Sequence, residues 1–256
     1  MFLAHKNPDK GIQYTTNHRG INMKRKLFRT VIITIIVICL CLFVACKKAE
    51  PTEEKSPLEK RVSTYHDGVY VGANEDFTVS FITGESEKLI VIDGEVGETA
   101  RFATLTVTPL ASSLFNNTYT YLLKGENGEK TGELVKDVIG ASFSAEVGDI
   151  SSIGKMLTLS VVAEGILDSE ITLTDKMTGT IGWKEALSIA AKEFADLITA
   201  ESDTGNLPRE IYIKLVNALA DEEAPFYYYV SFIKSPSDYW AILLDPITGE
   251  VISKKA

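Results

Sequence analysis

The chain has 256 residues, a formal net charge of −9, three cysteines and three histidines. Residues 1–45 carry seven Lys/Arg and one Asp, so the rest holds 19 positive and 34 negative side chains, a net of −15. That excess of acid argues against a nucleic-acid binder, which needs basic patches to displace counterions, and against direct docking on anionic headgroups.

Residues 1–22 show no periodicity, so translation is expected to begin at Met23 and these residues are set aside. Lys24, Arg25, Lys26 and Arg29 then form a charged n-region. Val31 to Ala45 follow as a fifteen-residue apolar run with Thr34 as its one plainly polar member. A spanning helix needs about 20 apolar residues, so this run has the length of a signal-peptide core. Its end, "LFVAC", places Ala45 before Cys46. This resembles the lipobox of bacterial lipoproteins, although Phe43 stands where leucine is usual. The resemblance implies a signal peptide over 23–45, cleavage before Cys46 and acylation of Cys46. It also implies a cell-membrane protein on the extracytoplasmic face, of the Gram-positive type. An uncleaved anchor and plain secretion are the alternatives. Residues 46–64 read as a polar tether.

All three cysteines (Cys39, Cys41, Cys46) lie in this segment, so the exported part folds without disulfides. Beyond residue 45 the only histidine is His66, beside the tether, where it reads as a surface residue. A metal site of several imidazoles is therefore excluded, and a Ser–His–Asp or Cys–His set could use only this one residue.

Residues 65–178 alternate with period two: "FTVSF" (77–81), "ATLTVT" (103–108), "ASFSAEV" (141–147), "LTLSVVA" (157–163) and "ITLTD" (171–175). Such alternation marks half-buried antiparallel strands. "YTYLLK" and "GELVKDV" flank Asn127-Gly128, which predicts a hairpin turn with positive φ. About eight short strands at regular spacing predict an immunoglobulin- or fibronectin-like β-sandwich. The acidic pairs Glu75-Asp76 and Glu126/Glu129 lack the spacing of a calcium loop, so no metal site is assigned.

The pattern changes across "MTGTIG" (177–182), and residues 179–256 read as a second, small α+β domain. Trp183, Leu187, Ala190, Phe194 and Leu197 form one apolar stripe on a helix of about 17 residues. "REIYIKLVNAL" fits a strand or a helix, with its β-branched residues favouring the strand. "FYYYVSFIK" (226–234) and "DYWAILLDP" (238–246) predict a hairpin, and "DPITGEVI" a turn built on Asp245, Thr248 and Gly249.

The order of "KEAL.IA", "YYYVSF" and "YWAILLDPITGEVIS" resembles a PepSY or PepSY-like domain, over about 75 residues. The resemblance implies a helix on a small antiparallel sheet and a role in binding peptides or modulating peptidases. It carries no catalytic residues and no cofactor.

Tyr227, Tyr229, Tyr239 and Trp240 form the candidate binding surface, because exposed aromatics bury much area at little entropy cost. The alternative is that they pack inside the protein. No nucleophile elbow, zinc-binding helix or phosphate loop is present. The expectation is a lipid-anchored binding or modulating protein whose partner is an envelope protein or peptide. The competing readings are a structural or adhesive component using the sandwich as a spacer, and an uncharacterised hydrolase.

Overall fold

Strand β1 (Val62–Ala73) sets the architecture, although its alternation is broken at His66-Asp67-Gly68. The computed structural model describes residues 55–89, 91–137, 141–202, 207–216 and 225–256. Cys46 and residues 1–54 lie outside them. Seven further strands follow: β2 (Phe77–Glu87), β3 (Thr99–Pro109), β4 (Tyr119–Gly125), β5 (Gly128–Lys136), β6 (Phe143–Glu146), β7 (Leu157–Ala163) and β8 (Leu167–Asp175).

These eight strands run β1-β2-β3-β6-β5-β4-β7-β8 in antiparallel order. Tyr70 and Val71 then pair with Asp175 and Thr174, which returns β8 to β1 and closes a barrel. The expected immunoglobulin- or fibronectin-like sandwich is therefore wrong. Period-two alternation is common to both architectures, and only a pairing across about 100 residues of sequence separates them.

Side chains fill the interior. Phe77, Val79 and Phe81 from β2, Leu105 and Val107 from β3, and Leu157, Leu159 and Val161 from β7 are all buried there. Tyr119 packs edge-on against Phe77 and Phe143, with ring centroids 5.5 and 4.9 Å apart. The Tyr119 hydroxyl donates to the Leu114 carbonyl at 2.7 Å. The predicted β4–β5 hairpin is present, but Glu126 and Asn127 form its turn and neither Asn127 nor Gly128 has positive φ. What the site requires is room, because a Cβ on Gly125 would overlap the Ile153 carbonyl.

The chain leaves the barrel after β8 and forms α1 (Trp183–Glu193) and α2 (Ala195–Glu201), which break at Phe194. Four more strands follow among the described residues: β9 (Glu210–Val216), β10 (Tyr227–Ser235), β11 (Asp238–Leu244) and β12 (Val251–Lys255). They do not stand as a separate PepSY-like α+β domain. β9 pairs in parallel with the first half of β1, so β9 to β12 extend the same sheet. Residues 55–256 accordingly form one compact unit.

β1 thus divides one edge between two partners, β9 first and β8 afterwards. The register shifts between His66 and Gly68, where that division occurs. Past the last β1–β9 pair, His66 Nδ1 accepts the Leu215 N–H at 3.0 Å. Asp67 accepts a forked bond from Arg101 at 2.5 and 3.2 Å and the Thr83 hydroxyl at 2.9 Å. Val69 and Val71 point out of the barrel into a second core with Leu187, Phe194, Ile213 and Tyr228. Trp183, at the head of α1, stacks on Tyr65 with centroids 4.2 Å apart.

Candidate functional site

Alternation on β9 to β11 fixes which side chains face the helices. Ile211, Ile213 and Leu215 on β9, Tyr228, Val230 and Phe232 on β10, and Trp240, Ile242 and Leu244 on β11 all enter the helix-side core. The other face carries their neighbours. Its rows follow from the strand register: Tyr212 opposite Ser231, Ser231 opposite Ala241, and Ala241 opposite Lys255. One row on lies Lys214–Tyr229–Leu243, and on the other side Glu210–Ile233–Tyr239.

Small residues therefore occupy the middle of a field of large ones. Ser231 makes the floor, with Ala241 its register partner on β11, and Tyr212, Tyr229, Ile233 and Tyr239 line the groove around it. The result is a groove of about 360 Å³. Ser231 is 1 % exposed, and among the described residues its hydroxyl has no hydrogen-bond partner. A buried hydroxyl without a partner costs roughly 1–3 kcal/mol, and a ligand group that bonds it would recover that cost.

The β2–β3 connection forms one wall. Buried Glu210 accepts the backbone N–H groups of Asp93 and Gly94, each at 2.9 Å, and the Tyr212 hydroxyl at 2.9 Å. Buried Glu87 accepts the Ser63 hydroxyl at 2.5 Å and the Gly97 N–H. Backbone donors thus satisfy both carboxylates, and the connection is pinned so that Ile92 lines the groove. Burial, and then the bond to Glu210 against an opposing contribution from Ser63, pushes the Tyr212 phenol up to about 12. Burial and then Tyr239 raise Tyr229 as well. The phenols are therefore neutral donors at physiological pH.

Two cations stand on the rim. Lys255 Nζ lies 3.4 Å from the Tyr239 ring centroid, and Lys214 Nζ lies 5.6 Å from that of Tyr212. Among the described residues neither has a carboxylate within ion-pair distance.

Of the four aromatics singled out from sequence, Tyr229 and Tyr239 line this groove. Tyr227 lies at the start of β10, in a separate cleft of about 510 Å³ with Thr178, Gly179, Pro246 and Ile247. Trp240 is on the helix side and 6 % exposed. The Arg209 guanidinium covers its ring at 3.9 Å, and Arg209 forks onto Glu201 with two bonds of 2.7 Å. Trp240 is a core residue and is removed from the candidate surface. Sequence reasoning missed Tyr212, Ser231, Lys214 and Ile92. The alternation Glu210-Tyr212-Lys214 in "REIYIKLV" was the available signal for two of them.

Asp245, Thr248 and Gly249 lie in the turn between β11 and β12. Asp245 Oδ1 accepts the N–H groups of Ile247 and Thr248 at 2.9 and 2.8 Å, and Gly249 has φ 72°. Those N–H bonds hold the Asp245 carboxyl below its usual range. His66 is not a free surface residue but part of the β1–β9 seam.

Another cleft of about 510 Å³ lies by the barrel, where the Asp67–Arg101 pair meets Tyr70, Lys155 and Asp175. There Asp67 is already satisfied by Arg101 and Thr83. One member of each acidic pair weighed for calcium bonds within the fold: Asp76 accepts the Ser169 hydroxyl at 3.0 Å, and Glu126 the Lys155 N–H at 3.4 Å. Among the described residues no three His, Cys, Asp or Glu side chains converge as a metal site.

No family model, curated protein or solved structure matches this chain. The site itself therefore carries the functional argument.

Proposed function

We propose that the protein is a lipid-anchored, extracytoplasmic binding protein that holds an extended peptide or protein segment in the groove on the open face of β9 to β11. One observation carries the reading: a depression ringed by three tyrosines has a buried, unpartnered hydroxyl at its floor. Aromatic rims with a few convergent polar groups are the usual composition of recognition sites. The "LFVAC" end of the apolar run supports anchoring through Cys46. Two or more acyl chains hold a protein at a membrane far better than one.

A second reading, a structural or adhesive component, draws support from the barrel, whose filled interior makes it a rigid spacer. The two differ in whether the groove binds anything. The full chain, purified in detergent, is screened against an unbiased peptide library. Tyr229→Ala is expected to lower the affinity of selected peptides about thirtyfold, the roughly 2 kcal/mol typical of a central aromatic anchor. Selected peptides that bind wild type and variant equally would favour the spacer. Mass spectrometry of the mature N-terminus tests the anchor, and an intact chain running through Cys46 would reject acylation.

A further inference from the structure

Resting on that reading, we infer that the groove selects an acidic segment, with two carboxylates spaced to meet Lys214 and Lys255 and an intervening side chain seated over Ser231. Charge is the first argument. The chain is strongly acidic, yet the rim of this groove presents two lysines whose contacts are aromatic rings rather than carboxylates. Glu210, the carboxylate nearest the floor in the register, is buried and already occupied by Asp93, Gly94 and Tyr212. Any ligand in the groove therefore meets positive charge at its ends.

Spacing is the second argument. Lys214 is on β9 and Lys255 on β12, three strand intervals apart and one side-chain row out of step. At about 4.8 Å per interval and about 6.7 Å per row, their Cα atoms are about 16 Å apart. An extended chain covers that distance in four or five residues. The Ser231 floor lies between them, so a central side chain of the segment descends onto it.

The lining is the third argument. Ile92 and Ile233 flank the floor, and the uncharged polar groups around it are the Ser231 hydroxyl and the phenols of the rim, donors for the most part. A sugar polymer would present many hydroxyls with few acceptors to meet them. An acidic peptide presents carboxylates at its ends and an apolar or small polar side chain between.

The test uses the full chain in detergent and fluorescent synthetic peptides in which two Asp residues flank three residues centred on Leu. Amidated peptides with Asn at both positions, basic peptides with Lys, and polygalacturonate serve as comparators. The Asp peptide is expected to bind about tenfold more tightly than the Asn peptide, with the difference shrinking as salt rises. Lys214→Gln and Lys255→Gln are each expected to remove up to about fivefold of that preference, read as the ratio of Asp-peptide to Asn-peptide affinity within each variant. Both lysines are exposed on strands, and circular dichroism checks that the variants fold. Equal binding of Asp and Asn peptides would overturn charge selection while leaving the groove as a peptide site. Preference for polygalacturonate over every peptide would overturn the peptide class. Binding of no probe would overturn this inference together with the function on which it rests.

Discussion

Arg209 shows how one side chain holds the site from behind. It is 2 % exposed, bonds Glu201 and Asp238, and places its guanidinium carbon 3.9 Å from the Trp240 ring centroid. Arg209→Ala would leave the ring uncovered and a void beneath the hairpin. A loss of about 3 kcal/mol is expected in urea unfolding, against less than about 1 kcal/mol for Asp238→Asn, whose carboxylate is half exposed. His66 gives a pH dependence. Burial, and after it Lys214, pulls the imidazole from 6.5 down to about 4. Between those values the unfolded chain takes up a proton that the folded chain refuses. The contribution is therefore complete above about 6.5 and falls away as pH drops toward about 4. His66→Gln, which keeps an acceptor for Leu215, is expected to flatten this part of a urea-midpoint profile; an unchanged slope would remove His66 from the seam. At this scale the sequence was readable where parity could be applied. Tyr239 and Trp240 are adjacent in one strand, so they must face opposite ways. Naming both as one surface overlooked that constraint.

The elements of the second half were largely legible, and their partners were not. β9, the β10–β11 hairpin and the Asp245–Gly249 turn form where alternation and turn chemistry predict them. The predicted single helix is broken at Phe194, whose ring packs edge-on against Phe232 at 5.6 Å. Tertiary packing here overrides a continuous helical stripe. β1 escaped notice because His66-Asp67-Gly68 interrupts its pattern, and that interruption is where the sheet divides. The β4–β5 hairpin forms where the sequence predicts it, but without the positive φ expected at Asn127-Gly128; Gly125 supplies clearance instead. Gly125→Ala would force its Cβ into the Ile153 carbonyl. A loss of about 1–3 kcal/mol is expected by thermal melting, and a neutral result would show that the 150s segment yields freely.

At the scale of the whole molecule, the barrel and the four added strands share β1, and its outward valines complete the helix-side core. Unfolding of residues 55–256 is therefore expected as one transition, with far- and near-ultraviolet dichroism coincident. Two separated transitions would mean that the β1–β9 pairing is a weak joint. Closure of the barrel was not legible because it depends on Tyr70 and Val71 meeting Asp175 and Thr174, a contact without local signature. The same topology leaves one sheet face open beside a pinned connection, and the account of function rests there. Placing a photo-crosslinking residue at Tyr229, and separately at the exposed barrel positions Val135 and Ile166, tests that claim most directly. In the native membrane, adducts at position 229 whose mapped segment is extended and acidic are predicted, with none at 135 or 166. Adducts at the barrel positions with none at 229 would contradict it.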